Sequence, residues 1–168
     1  KNLDAEYIGL DHYRRYFSTK KVKYKDGMDI NEVVLDKEST EQYLKEADIL
    51  VPKLRKYYIE TLYDHYANTL DGSHLDKTRD IILEMTPEYL GSFDKVMKQR
   101  SGYMFNMFIM SKDNVAAYCE WLFPIVDELY RRIDIEGYSA FDARLFGRVS
   151  ERLFNVWLAN QDLRIKET

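Results

Sequence analysis

The sequence predicts an α/β domain in which short buried strands are spaced by amphipathic helices. Apolar runs at 7–10, 49–51 and 103–110 have the length and composition of buried strands. Segments between and after them place apolar residues at helical spacing. No repeat, low-complexity tract or Pro/Gly-rich linker divides the 168 residues, so a single domain is expected over 1–168. Helices outweigh strands, but the alternation argues against a pure bundle.

The elements follow in order. Tyr7-Ile8-Gly9-Leu10 is an apolar run that stops at polar Asp11-His12, as a strand does when its C-terminal end delivers side chains to a site. Residues 18–37 read as an irregular, charged excursion. Ser39 with Gln42 reads as a capping box for a short helix ending near Glu46. Ile49-Leu50-Val51 is a second strand, stopped by Pro52. Tyr58 to Leu70 and Leu75 to Met85 read as helices, and Pro87 suits the first turn of another. The run YMFNMFIM, 103–110, reads as a third strand. Val115, Tyr118, Cys119, Leu122, Val126, Leu129 and Ile133 form the stripe of a long helix over Asp113–Ile133, with a kink expected at Pro124. A last helix spans Gly147 to Leu158.

Composition narrows the class. Hydrophobic residues at 45% and charged residues at 32% suit a globular protein and exclude a disordered one. A net charge of −4 gives no field for nucleic acid. Cys119 is the single cysteine, so no internal disulfide forms; with no signal peptide in view, a reducing, cytoplasmic setting is expected. No apolar run approaches the roughly 18 residues of a membrane span. Tyrosine is abundant, at 14 copies, and suits clefts that hold polar rings. The chain opens on Lys1 almost directly into a strand-like run and reads as a piece of a longer protein.

The densest chemistry is Asp11-His12-Tyr13-Arg14-Arg15-Tyr16, at a strand end where open α/β sheets bind ligands. Arg14 and Arg15 offer guanidinium forks that match phosphate oxygens. His12 suits a phosphate or a sugar hydroxyl, and Tyr13 and Tyr16 suit stacking on sugar or base. The competing reading is a solvated charged turn. Asp11 is a weak candidate metal ligand: its partner in an Asp-x-Asp pair would be residue 13, which is Tyr. No metal is therefore expected as a requirement, with Mn²⁺ or Mg²⁺ left open. Arg144, Arg148, Ser150, Glu151 and Arg152 form a second cluster, with Glu151 able to act as a base or bind hydroxyls. Its competing reading is a helix-surface ion pair. His65 reads as structural, and His74 as freer to act. Lys20, Lys21, Lys23 and Lys25 form a basic patch that suits a solvated loop or an anionic lipid.

The run YIGLDHYRRYF (7–17) resembles the signature of a bacterial family catalogued as a domain of unknown function. ADILVPK (47–53), 105–134 and ARLFGRVSERLFNVWL (143–158) agree with it in order, so the resemblance covers nearly the whole chain. Members occur in capsular and exopolysaccharide biosynthesis and are regarded as glycosyltransferases. The resemblance implies a GT-A-like, Rossmann-type, mostly parallel sheet flanked by helices, here the C-terminal larger part of the domain without its N-terminal strands. It implies a nucleotide-diphospho-sugar donor, UDP-linked and of galactose type, and a lipid-linked or oligosaccharide acceptor at the membrane's inner face. On that reading Arg14 and Arg15 stabilise the leaving diphosphate, and His12, Tyr13, Tyr16, Asn106, Arg148 and Arg152 bind donor. Glu151 activates acceptor. The rivals are a non-catalytic sugar- or nucleotide-binding module and a scaffold that presents the 113–133 helix to a partner.

Overall fold

The computed structural model describes residues 5–18, 25 and 27–168. Strands β1 (Tyr7–Leu10), β2 (Ile49–Val51), β5 (Phe108–Ser111) and β6 (Ile165–Glu167) form one sheet in the order β1-β5-β2-β6. The strands between them in sequence, β3 (Arg55–Lys56) and β4 (Ser101–Gly102), pair separately as a short antiparallel ribbon. Helix α1 (Lys37–Glu46) precedes β2, and α2 (Leu62–Ala67), α3 (Ser73–Met85) and α4 (Leu90–Met97) lie between the ribbon strands in sequence. Helices α5 (Lys112–Arg132) and α6 (Leu145–Ala159) follow β5.

The sheet is mixed, not mostly parallel. Both β1 and β2 run antiparallel to β5, and β2 with β6 is the parallel pair. The reason lies in the return path. From the ribbon, residues 103–107 lead into β5 at Phe108, which faces Leu10 at the C-terminal end of β1. The chain therefore enters β5 where β1 and β2 end, and must run against them.

Alternation along the strands splits the core in two. Ile49, Val51, Phe108 and Met110 face a large cluster with residues from α2 to α6, including Leu62, Ile81, Val96, Ile125 and Leu153. Leu50 faces the other way, onto Leu44 of α1 and Ala47, with Ile109 and Tyr7 packed beside them. The sheet is thus covered on both faces, thickly on one.

Several boundaries differ from expectation. The cap of α1 is Asp36, whose carboxylate accepts from the Ser39 N–H at 2.7 Å, not a Ser39–Gln42 box. The expected 58–70 helix is only Leu62–Ala67, because Thr61 and Asp64 make a full capping box that starts it late. Helix α5 spans Lys112–Arg132 rather than Asp113–Ile133, with Pro124 inside it. It buries Tyr118, Trp121, Leu122, Ile125 and Leu129, so the stripe that a scaffold would expose lies in the core. The third strand begins at Phe108 rather than residue 103. Phe105 and Asn106 have φ of 77° and 52°, a left-handed conformation incompatible with a strand. Among the described residues no helix is long and apolar enough to cross a membrane.

Candidate functional site

The ends of β1 and β2 and the start of β5 meet at one cleft of about 630 Å³. Arg14, Arg15 and Tyr16 line it after β1, Pro52 and Lys53 after β2, and Phe105 and Met107 before β5. Ile30, Val33 and Val34 close its far wall from a short 3-10 helix and the residues after it. Phe17 is buried and its carbonyl accepts from the Leu35 N–H at 2.8 Å, which ties that wall to the arginine turn.

The arginine turn is compact. The Arg15 N–H donates to the His12 carbonyl at 2.9 Å, and the Arg14 N–H lies 3.3 Å from His12 Nδ1. With Nδ1 accepting, a neutral His12 carries its proton on Nε2 and can donate it outward. The Arg15 guanidinium lies 4.0 Å from the centre of the Phe105 ring, and that of Arg14 4.8 Å from the Tyr13 ring. His12 packs on Tyr13 and Phe105, with ring centres 4.4 and 5.9 Å apart. Among the described residues neither arginine has an ion-pair partner, so both charges are available to a ligand. Tyr13 and Tyr16 are exposed beside them.

Phe105 connects this turn to the second cluster. Its backbone N–H favours the ionised Glu151 carboxylate on α6, while its ring carries Arg15. Burial pushes the Glu151 carboxyl above its ordinary value, against the pull of Arg152, Arg148, the Phe105 N–H and His12. Arg152 is 3% exposed; it donates to Glu151 at 3.1 Å and to the Arg148 carbonyl at 3.3 Å, and lies over the Tyr66 ring. It does not line the cleft, and its guanidinium is turned to Glu151. Arg148 is half-buried over Phe141, Arg144 is exposed, and Ser150 donates to the Phe146 carbonyl. None of these lines the cleft. Asn106 also faces α6: its Nδ2 donates to the Gly147 carbonyl at 3.2 Å.

Other expected residues fall elsewhere. His74 is buried in the first turn of α3, between the Tyr66 hydroxyl at 3.1 Å and the Tyr138 hydroxyl at 3.2 Å, so it is not free to act. Burial pushes its imidazole toward the neutral form. His65 pairs with Glu60 at 2.8 Å. Of the basic patch, Lys25 is exposed and Lys20, Lys21 and Lys23 lie outside the described residues. Asp11 is exposed, and among the described residues no group of three His, Cys, Asp or Glu is placed to hold a metal ion.

Sequence reasoning missed Lys53, Phe105 and Asn155. Lys53 follows the Pro52 that ends β2, so the strand-end rule applied to Asp11–Tyr16 also covers it. Asn155 is a polar residue on the apolar face of α6, one turn beyond Glu151. Its Oδ1 accepts from the Tyr103 N–H at 2.7 Å, and its Nδ2 donates to the Tyr103 and Glu151 carbonyls, each at 2.8 Å. That clamp sets the course of the 103–107 turn.

A mixed sheet covered on both faces by helices, with a cationic cleft at the strand ends, makes this an α/β domain with one candidate ligand site. The chain belongs to the family described as "Domain of unknown function (DUF4422)", whose model matches residues 1–162. It is similar to the apo structure of the WbbM bifunctional glycosyltransferase, with a TM-score of 0.85 and 31% identity over 97% of this chain. This chain spans 32% of that one. No curated protein matches the sequence.

Proposed function

We propose that this domain transfers a sugar from a nucleotide-diphospho-sugar, UDP-linked and of galactose type, to a growing capsular or exopolysaccharide acceptor. The observation that carries the reading is the convergence of Arg14, Arg15 and Lys53 on one cleft with Glu151 behind its Phe105 wall. Likeness to a bifunctional glycosyltransferase at 31% identity supports it.

In this reading the cleft holds the diphosphate against the two guanidinium groups and the Lys53 ammonium. The acceptor hydroxyl oxygen bonds to the anomeric carbon as the bond from that carbon to the diphosphate oxygen breaks. The electron pair leaves with the diphosphate, and the acceptor's proton passes through an intervening water to the Glu151 carboxylate, which stands behind the Phe105 wall rather than in the cleft lining. Negative charge on the leaving oxygen grows towards the transition state, so fixed cations there lower the barrier more than they tighten donor binding. His12 donates from Nε2 to a phosphate or sugar oxygen, and Tyr13 and Tyr16 offer flat faces to the sugar or base. Arg152 and Asn155 keep Glu151 and the turn in place without touching substrate.

The test is a thermal-shift panel of nucleotide-sugars on the intact protein, with and without Mn²⁺, followed by transfer assays with the donors that bind. Binding raises apparent stability. A rise with UDP-sugars and turnover with an oligosaccharide acceptor are expected. Absence of a shift with every nucleotide-diphospho-sugar would overturn the reading, and binding without hydrolysis or transfer would reduce it to a non-catalytic module.

A further inference from the structure

The ribbon beside the cleft carries a surface that glycosyl transfer does not use. Between β3 and α2 the chain reads Tyr57-Tyr58-Ile59-Glu60. Tyr58 is 89% exposed and Ile59 85%, the two most exposed large apolar side chains among the described residues. They are adjacent, and nothing in the core accounts for them. Scattered apolar residues on a surface are ordinary, but a neighbouring pair held this far out is an uncovered contact.

The charge around the pair is mainly positive. Arg55 and Lys56 form β3, and both are exposed. Arg55 faces Gly102 and Lys56 faces Ser101 across the ribbon. The Arg100 carbonyl accepts from the Tyr57 N–H at 2.7 Å, which brings exposed Arg100 to the same loop. Lys53 stands two residues before β3, on the cleft wall. Among the described residues none of Lys53, Arg55, Lys56 or Arg100 has an ion-pair partner, whereas Arg79, Arg132 and Arg164 all do. The adjacent Glu60 carboxylate is the exception: hydrogen bonds from Asn68 and His65 turn it back towards α2 and keep it ionised. A chain of net charge −4 thus concentrates uncompensated positive charge around an exposed Tyr-Ile pair.

A tyrosine and an aliphatic side chain flanked by cations match the interface of an anionic bilayer. The aromatic ring sits at headgroup depth, the aliphatic chain reaches the acyl boundary, and the cations meet lipid phosphates. We propose that the Arg55–Ile59 loop docks on an anionic lipid surface and sets the cleft beside the membrane. The inference deepens the reading of a lipid-linked acceptor and rests on it for its purpose, not for its geometry. The loop is anchored from behind, where Tyr57 packs on His65 with ring centres 4.2 Å apart. Docking therefore needs no rearrangement of the domain.

Co-sedimentation of the intact protein with vesicles tests this, using phosphatidylcholine alone and an equal mixture with phosphatidylglycerol. Binding is expected with the mixture only, and it should weaken as salt rises. Y58S with I59S should abolish it. R55E with K56E should weaken it on the order of 25-fold or more, each cation contributing roughly fivefold near such a surface. Both doubly substituted proteins should keep the wild-type thermal shift with donor, because neither pair lines the cleft. Wild-type binding equal to that of both variants, or no binding to the mixture, overturns the proposal. So does a self-association in light scattering that Y58S with I59S removes, since the loop then covers protein. A negative vesicle result with an intact donor shift refutes docking and leaves the transferase reading standing.

Discussion

Phe105 takes a φ of 77° although it has a side chain that disfavours the left-handed region. The conformation aims its N–H at Glu151 and its ring under Arg15 in one residue. Replacement separates the two effects. F105A and F105G remove the same ring, yet only glycine relieves the backbone, so F105G should be the more stable of the pair by about 1 kcal/mol. Urea melts of the two proteins decide this, and F105A equal to or above F105G would mean that the backbone carries no strain. Asn155 holds the same turn from the opposite side. N155A leaves the Tyr103 N–H and carbonyl without their partner and should cost about 1–3 kcal/mol, read from the urea midpoint. A side-chain clamp of this kind is invisible to periodicity, which sees only a polar residue on an apolar face. Arg14 touches Tyr13 and solvent, whereas Arg15 also rests on Phe105. R14K keeps the charge and loses the fork, so transfer under saturating donor should fall on the order of 30- to 150-fold with little change in stability. R15K should show a similar loss together with weaker packing on the ring. Wild-type turnover in both would remove the arginines from the mechanism.

At the scale of elements, the strands at 7–10 and 49–51 and the long helices were legible because hydrophobic period and length agree there. The 103–110 run misleads because Met104 and Met107 are buried without being in a strand, so apolar content persists through a turn. Edge strand β6 was not foreseen: Ile165-Lys166-Glu167 has a single apolar residue, and pairing to β2 rather than pattern creates the strand. Its entry is fixed by Asp48, which precedes β2 and binds Arg164 through the backbone N–H at 2.8 Å, Nε at 3.1 Å and Nη2 at 2.8 Å. These bonds hold the Asp48 carboxyl at about 2, below its ordinary range. A depressed carboxylate adds stability above its unfolded pKa of about 3.9 and loses it as pH falls towards the folded value. The melting temperature of the wild type should therefore fall more steeply than that of D48N between about pH 4 and pH 2. Both side chains are partly exposed, so the difference should be small and should shrink in high salt. Parallel curves would show that Asp48 does not secure β6.

Across the whole molecule, the two clusters singled out in sequence, 11–16 and 144–152, are more than 120 residues apart, yet Phe105 touches members of both. The chemistry of each cluster was readable from residue type, but their meeting was not. It depends on the antiparallel entry of β5, which brings 103–107 to the strand ends. It depends equally on α6 presenting Glu151 to that turn and Asn155 to its base. The arrangement leaves Glu151 on the inner side of the wall, with enough surrounding protein to push its carboxyl up. If Glu151 takes the acceptor proton, it must be ionised to do so, and transfer should decline as pH falls through that raised value. The acidic limb of kcat/KM should then lie above the ordinary glutamate value of about 4.3, and E151Q should abolish the limb along with most of the rate. E151D keeps the acid on a shorter arm and should retain the limb at reduced rate. R152K tests how the hold works: it keeps a charge near Glu151 but cannot donate to both Glu151 and the Arg148 carbonyl from a planar fork. It should lower kcat more than it raises the donor KM, because Arg152 does not line the cleft. A pH profile unchanged in E151Q would assign the acidic limb to another group and take Glu151 out of acceptor activation.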